Sequence, residues 1–215
     1  MFLGHEISYS SEQIVKNREK FPILILGAGA LGSWLLDLLA RQGYANLSIL
    51  DFDKVEAKNF GTQNYGKNDV GRQKVVAACN NLYIRLGIKS NPIAEKLTEK
   101  NAKNLLSKYK LVIDAFDNYE SRQIVKNICS DLKINCIHCG LSSDGFCEAT
   151  WNKYYSISKV KKNKETTEPC EYPLSTNLVH IAVGCVAQVI NKYVDHEFQE
   201  NINFTIKDMH IQILK

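Results

Sequence analysis

An apolar tetrapeptide, Ile23 to Leu26, runs directly into G-A-G-A-L-G, and Leu31, Leu35, Leu38 and Leu39 then repeat at helical spacing. A continuous apolar run of this length suits a strand buried on both faces, so the segment predicts strand, tight turn and helix. Each glycine has a separate task. Gly27 permits the turn off the strand, Gly29 lets the backbone approach a phosphate, and Gly32 lets the helix lie close on the sheet with its N-terminal N–H groups facing an anion. Glycine-punctuated turns are common, and the motif gains weight here from the strand and helix on either side of it.

Further strands are predicted at about residues 47–51, 92–97, 111–115, 134–139 and 146–151. Helices at about 30–42, 70–86, 102–108 and 119–133 fill the gaps between the first five strands. This alternation predicts an α/β fold: a Rossmann-like, mainly parallel sheet with helices on both faces, binding ligands outside the carboxyl ends of its strands. A helix over Thr176–Tyr193 and a hairpin at about 203–206 and 210–214 would add a C-terminal antiparallel extension. The expected organisation is an N-terminal arm (1–20), a nucleotide-binding region (21–151), a mobile crossover loop (152–174), and a helix and hairpin completing the same domain (175–215). The loop holds Lys159, Lys161, Lys162 and Lys164 with little apolar periodicity. That lysine run reads as a solvated loop or as a patch steering an acidic partner.

With 215 residues and 45% hydrophobic content, one large core accounts for the chain. The formal charge of +4 is mild and its Lys and Arg residues are interspersed with acids, so a nucleic-acid partner is not expected. The stretch from Met1 to Lys20 lacks the apolar core of a signal peptide, and no apolar run approaches the length that crosses a bilayer. Seven scattered cysteines suit a reducing cytoplasm better than a disulfide framework.

Asp51 closes the second strand about 20 residues after the last glycine, where dinucleotide-binding folds place a carboxylate on ribose hydroxyls. Taken alone, it suits a dehydrogenase as well as an ATP enzyme. The segments D-F-D-K-V-E-A-K-N-F-G-T-Q, D-V-G-R-Q-K and D-A-F-D-N-Y-E-S-R separate the two. In order, Asp51, Asp53, Asn59, Gln63, Lys74, Asp117 and Asn118 offer a ribose anchor, amide donors, a phosphate-facing cation and a metal carboxylate. Hydride transfer needs none of the last group. Residue by residue, plainer readings stay open: Asp117 or Asn118 as a helix cap, Lys74 as a solvated lysine, Asp53 as the end of a strand.

With these motifs the chain resembles the ubiquitin-activating-enzyme-like superfamily, the ThiF/MoeB/HesA adenylyltransferases, well over about residues 21–151 and more loosely over 170–193. The resemblance implies ATP and Mg²⁺, with Gly29 under the phosphates and Asp51 on the ribose. Asn59, Gln63 and Lys74 would contact phosphates, and Asp117 would position Mg²⁺ with Asn118 beside it. The family pattern N-L-x-R-Q reads N-F-G-T-Q here, so Thr62 replaces an arginine. Losing one preorganised donor costs roughly 10²–10³ in rate. Arg72, or an arginine of a second subunit such as Arg18 in the N-terminal arm, would have to compensate.

The implied reaction activates the C-terminal carboxylate of a ubiquitin-like or sulfur-carrier protein with a glycine-terminated tail, in a cytoplasmic homodimer. Cys170, in T-E-P-C-E-Y-P, stands about where the family's transfer cysteine does and reads either as a nucleophile or as an ordinary loop thiol. A non-catalytic binding or scaffold subunit is the alternative that Thr62 raises; an NAD(P)-dependent oxidoreductase rests on the glycines and Asp51 alone. Cys136 and Cys139 form C-x-x-C, but positions three apart on a strand face opposite sides, which argues against zinc. Cys79, Cys129 and Cys185 read as helical core residues. His138 and His180 read as structural.

Overall fold

The computed structural model describes residues 3–157 and 174–214. Two short helices, α1 (Gly4–Tyr9) and α2 (Glu12–Lys20), form the N-terminal arm, and the Ser11 hydroxyl caps α2 by accepting from the Ile14 N–H. The predicted strand–turn–helix follows as β1 (Ile23–Leu26) and α3 (Ala30–Arg41). Next come β2 (Leu47–Leu50), α4 (Lys74–Leu86), β3 (Asn91–Ile93), α5 (Glu99–Leu106), β4 (Leu111–Asp114), α6 (Tyr119–Leu132) and β5 (Asn135–Leu141). The chain ends with β6 (Phe146–Trp151), α7 (Thr176–His196), β7 (Asn201–Thr205) and β8 (His210–Leu214).

All eight strands join one sheet in the order β3-β2-β1-β4-β5-β6-β7-β8. The first five in that order run parallel and the last three antiparallel, as the predicted extension requires. Side-chain alternation along β1 divides the core. Ile23 and Ile25 pack under α3, α4 and α7, whereas Leu24 and Leu26 pack under α5 and α6. Cys136 and Cys139 of β5 likewise fall in opposite layers, so the pair cannot converge on one ion. Cys79 and Cys129 are buried in helices as expected, and Cys185 is partly exposed.

Element boundaries shift where local chemistry overrides apolar pattern. The strand expected over 92–97 stops at Ile93. Residues from 70 do not begin a helix: a 3-10 turn, Lys67–Asp69, precedes Lys74, the first residue of α4. Asp69 accepts from the Gly66 N–H and the Asn81 side chain, and Gly71 has φ +84°, a left-handed conformation that breaks helical continuation. Of the expected loop over 152–174, residues 158–173 and with them the lysine run lie outside the described residues.

Arg18 overturns one expectation. It is buried rather than extended toward a second subunit, with its guanidinium forked onto Asp195 at 2.9 and 2.6 Å. The same group reaches Glu6 at 3.0 Å and the Gln42 carbonyl at 3.1 Å, and lies over the Tyr44 ring. A delocalised planar cation suits this cage, which ties the arm to α7. Two predictions follow from these packing constraints. Arg18→Met should cost about 3 kcal/mol in urea unfolding, because Asp195 and Glu6 lose their counter-charge. Gly32→Ala should cost at least about 2 kcal/mol by the same measurement, because a Cβ there would stand 1.9 Å from the Gly27 carbonyl oxygen.

Candidate functional site

The site lies at the carboxyl ends of β1, β2 and β4. Gly27 has φ +92°, and a Cβ on it would meet the Ala115 carbonyl oxygen at 2.9 Å; the turn after β1 is thus wedged against the turn after β4. Gly32 is excluded from any other identity by the close approach of α3 to Gly27. Gly29 differs, since a Cβ there would meet nothing within 4 Å and would project into open space. Gly29 is also the N-cap of α3, it offers no side-chain cap, and the first turn of α3 carries no acid. The helix therefore presents uncapped N–H groups and the positive end of its dipole to a cradle that a side chain would fill. That geometry fits a phosphate.

Ala28 is held from two directions. Its N–H donates to Asp51 Oδ2 at 2.7 Å, and its carbonyl accepts from the Tyr65 hydroxyl at 2.7 Å. Asp51 Oδ1 takes the Asp53 N–H at 2.8 Å. Burial pushes the Asp51 carboxyl up, opposed by those two N–H groups and by the charge of Lys74. Each carboxylate oxygen keeps a second lone pair, so Asp51 staples the glycine turn to β2 without exhausting its capacity to accept from a ribose hydroxyl. Burial likewise raises the Tyr65 phenol, which stays a neutral donor.

Lys74 is brought to the site by a short antiparallel pairing. Val55 N–H donates to the Arg72 carbonyl and Lys74 N–H to the Asp53 carbonyl, so the segment after β2 lies against the start of α4. The Lys74 ammonium then stands 3.0 Å from Asp53 Oδ2, buried where Asp53 is half exposed. The solvated-lysine reading fails. One of the three ammonium donors is committed to Asp53 and the others remain to meet an anion.

The loop between β2 and α4 is sewn onto α3. Ser33 Oγ donates to the Gly29 carbonyl at 2.7 Å and accepts from the Asn64 N–H at 3.0 Å, while Trp34 Nε1 donates to the Thr62 carbonyl at 3.0 Å. Gln63 is carried there with its Oε1 buried and without a hydrogen-bond partner among the described residues. In this orientation the amide offers an acceptor, matched to a hydroxyl or amino donor; turning the amide would present its NH₂ to a phosphate. Asn59 Oδ1 accepts from the Glu56 N–H at 2.8 Å and closes a 3-10 turn, Ala57–Gly61, which leaves the NH₂ end as its donor.

At the end of β4 the choice between caps resolves. Asn118 caps α6 by accepting from the Ser121 N–H at 2.9 Å, while Asp117 stands one residue before the cap and is exposed. Among the described residues no group of three His, Cys, Asp or Glu side chains could enclose a metal. A magnesium ion here would be held through one carboxylate together with phosphate oxygens and water, as Mg²⁺ commonly is. Cys170 lies outside the described residues. His180 is exposed and packs against the edge of Trp34.

Several contributors escaped the sequence reading: Tyr65, Ser33 and Asn64 around the loop, and Asp114 and Arg122 beneath the β4–α6 turn, where His138, read as structural, is hydrogen-bonded to Asp114. Asp114 and Arg122 both stand within D-A-F-D-N-Y-E-S-R, and a carboxylate closing a buried strand was the signal available.

The chain matches the model of the ThiF family over residues 7–214. The adenylyltransferase and sulfurtransferase MOCS3 of Arabidopsis thaliana is 38% identical over 117 residues, which are 53% of this chain and 25% of that protein. The sulfur carrier protein adenylyltransferase of Thermus thermophilus is 32% identical over 109 residues, 49% of this chain and 40% of its own length. The chain thus spans less than half the length of these curated relatives. A crystal structure of E. coli MccB with ATP superposes with a TM-score of 0.79 at 16% identity, over 98% of this chain and 69% of that one. A structure of PaaA gives 0.76 at 18% identity, over 98% and 68%. At such identities the likeness is one of fold. No helix among the described residues is long and apolar enough to cross a membrane. With the family model running from the N-terminal arm to the last strand, the chain belongs to the ThiF family.

Proposed function

We propose that this protein is an ATP-dependent adenylyltransferase that activates the C-terminal carboxylate of a ubiquitin-like or sulfur-carrier protein. The observation that carries the reading is the uncapped N-terminus of α3, open at Gly29. The buried Lys74 ammonium joins the same strand ends through Asp53, whose N–H is held by Asp51. Membership of the ThiF family supports the same chemistry. The names of its relatives support an adenylation of a carrier protein in particular.

In the reaction, a carboxylate oxygen of the carrier attacks the α-phosphorus of ATP. The bond to the β-phosphate oxygen breaks, the acyl-adenylate forms and pyrophosphate leaves. Carboxylate and phosphate repel each other, so the site must supply positive potential where negative charge gathers. The N–H groups of α3 and the free donors of Lys74 supply it from the protein. Asp51 and the buried Gln63 amide would hold the nucleoside. A bound Mg²⁺ would neutralise phosphate charge, with Asp117 as its carboxylate. Cys170 would then take the activated acyl group as a thioester with release of AMP, and the working form would be a cytoplasmic homodimer.

A second reading, a binding or scaffold subunit, is favoured by one observation. Thr62 lends only its backbone carbonyl to Trp34, and Arg18 is spent on Asp195 and Glu6. Arg72, exposed two residues before Lys74, is the described arginine that stands nearest in sequence to replace it.

Pyrophosphate exchange into ATP, measured with small carrier proteins ending in glycine, decides between them. Exchange is expected with the cognate carrier, and Asp117→Ala should lower it by about 10²-fold or more. Nucleotide binding without exchange under any carrier would support the scaffold, and preference for NAD(P) over ATP would refute both. Gly29→Ala should leave urea stability within about 1 kcal/mol of wild type and weaken ATP binding about tenfold, since its methyl group enters the cradle and nothing else.

A further inference from the structure

Beneath the turn that carries Asp117 lies a polar network that the chemistry above does not use. Asp114, the last residue of β4, is the register partner of His138 on β5, and both side chains are wholly buried. His138 Nδ1 stands 2.7 Å from Asp114 Oδ2, and His138 Nε2 stands 2.6 Å from Asn152 Oδ1. The orientation of the Asn152 amide is fixed independently. Its Nδ2 faces the Lys126 backbone carbonyl at 3.2 Å and Ser130 Oγ at 2.8 Å. A carbonyl oxygen cannot donate, so the NH₂ must face Lys126 and the amide oxygen must face the imidazole. Nε2 therefore carries a hydrogen. On the other side of the ring, one proton lies between Nδ1 and Asp114 Oδ2 and joins the two buried groups.

The ring is thus held from both sides, by Asp114 at Nδ1 and by Asn152 at Nε2. The Tyr155 ring stacks on it with centroids 4.0 Å apart and planes 9° from parallel, and Arg122 and Lys126 stand over the same ring at 5.8 and 5.7 Å. The Cys136 thiol lies 3.7 Å from Nε2. Arg122 shares the site: burial lowers its pKa, but the charge of Asp114 and the Tyr155 hydroxyl outweigh burial and keep it charged.

Asp114 and Arg122 converge on the backbone of Phe116, from its N–H and its carbonyl. Asp114 Oδ1 accepts from the Phe116 N–H at 3.1 Å, and Arg122 Nε donates to the Phe116 carbonyl at 2.6 Å. Arg122 also donates to the Tyr155 hydroxyl at 2.7 Å and to the Cys139 carbonyl, which anchors it to β5. Phe116 immediately precedes Asp117, and Ala115 before it is the residue against which Gly27 is wedged.

We propose that His138 is a positioning residue: hydrogen-bonded through both ring nitrogens, it orients Asp114, and through Asp114 the Phe116 N–H, so that Asp117 keeps a fixed place beside the glycine turn. The role rests on the reading of Asp117 as the carboxylate at the nucleotide phosphates. His138 touches neither nucleotide nor carrier in this scheme and acts through hydrogen bonds alone.

The test joins a spectroscopic measurement to a kinetic one. Nitrogen-15 NMR of the histidine side chains in the wild-type protein at neutral pH should show His138 with hydrogen on Nε2 and a hydrogen bond at Nδ1; a ring with Nε2 bare overturns the proposal. This measurement requires no variant and stands even if His138→Gln does not fold. In a folded His138→Gln protein, pyrophosphate exchange should lose about tenfold in kcat with the KM for the carrier unchanged. An unchanged kcat, or a loss confined to melting temperature, overturns the positioning role. Should the wild type show no exchange, adenylation fails as the function, and the affinity of His138→Gln for MgATP then judges His138. A loss of about tenfold supports the proposal and an unchanged affinity refutes it.

Discussion

The approach of α3 to the Gly27 carbonyl is the contact on which the rest of the molecule depends. A helix can lie that close to the turn preceding it only where position 32 has no side chain, and the closeness seats Leu31, Leu35 and Leu39 in the core above β1. It also leaves the first N–H groups of α3 pointing out beyond the sheet edge, where Gly29 keeps the space clear. Asp51 and Tyr65 then hold Ala28 by its two backbone groups, so the turn is rigid before any ligand arrives. A preorganised cradle of this kind loses little to reorganisation when charge is placed in it.

Several cations of the fold are committed to fixed partners. Arg18 is committed to Asp195 and Glu6, Arg122 to three oxygen acceptors, and Lys74 lends one donor to Asp53. In the proposed reaction, backbone N–H groups and a helix dipole would share with Lys74 the work of supplying positive potential. Such dipoles cannot rotate away and carry no desolvation cost of a full charge. Beneath the β4–α6 turn, Asp114 and Arg122 likewise spend hydrogen bonds on placing the backbone of Phe116.

Much of this was legible in residue order. Strand–helix alternation with apolar tetrapeptides announced the parallel sheet, and the terminal alternating pattern announced the antiparallel extension. Gly27, Gly29 and Gly32 could be given distinct tasks in advance, because each task follows from what a Cβ would obstruct. The positions of Lys74 and Asp117 could be named, but their partners could not. Lys74 meets Asp53 only because the segment after β2 pairs with the start of α4, an antiparallel contact with no periodic signature. Whether Asn118 or Asp117 caps α6 turned on a one-residue difference in backbone conformation that either side chain would accept.

Arg18 and His138 show where sequence reasoning stops. A basic residue in an N-terminal arm looks available to a partner, and a histidine between two cysteines looks like packing, until distant segments close around them. Asp195 stands 177 residues from Arg18, and Asp114 and Asn152 flank His138 from different sides of β5. By itself the sequence determined the strand order's alternation, the glycine cradle and the family, since those depend on local sterics and short-range spacing. Tertiary structure alone decided which charges are spent on the fold and which remain for a ligand, because hydrogen bonds and ion pairs of buried groups are set by residues brought together only when the sheet closes.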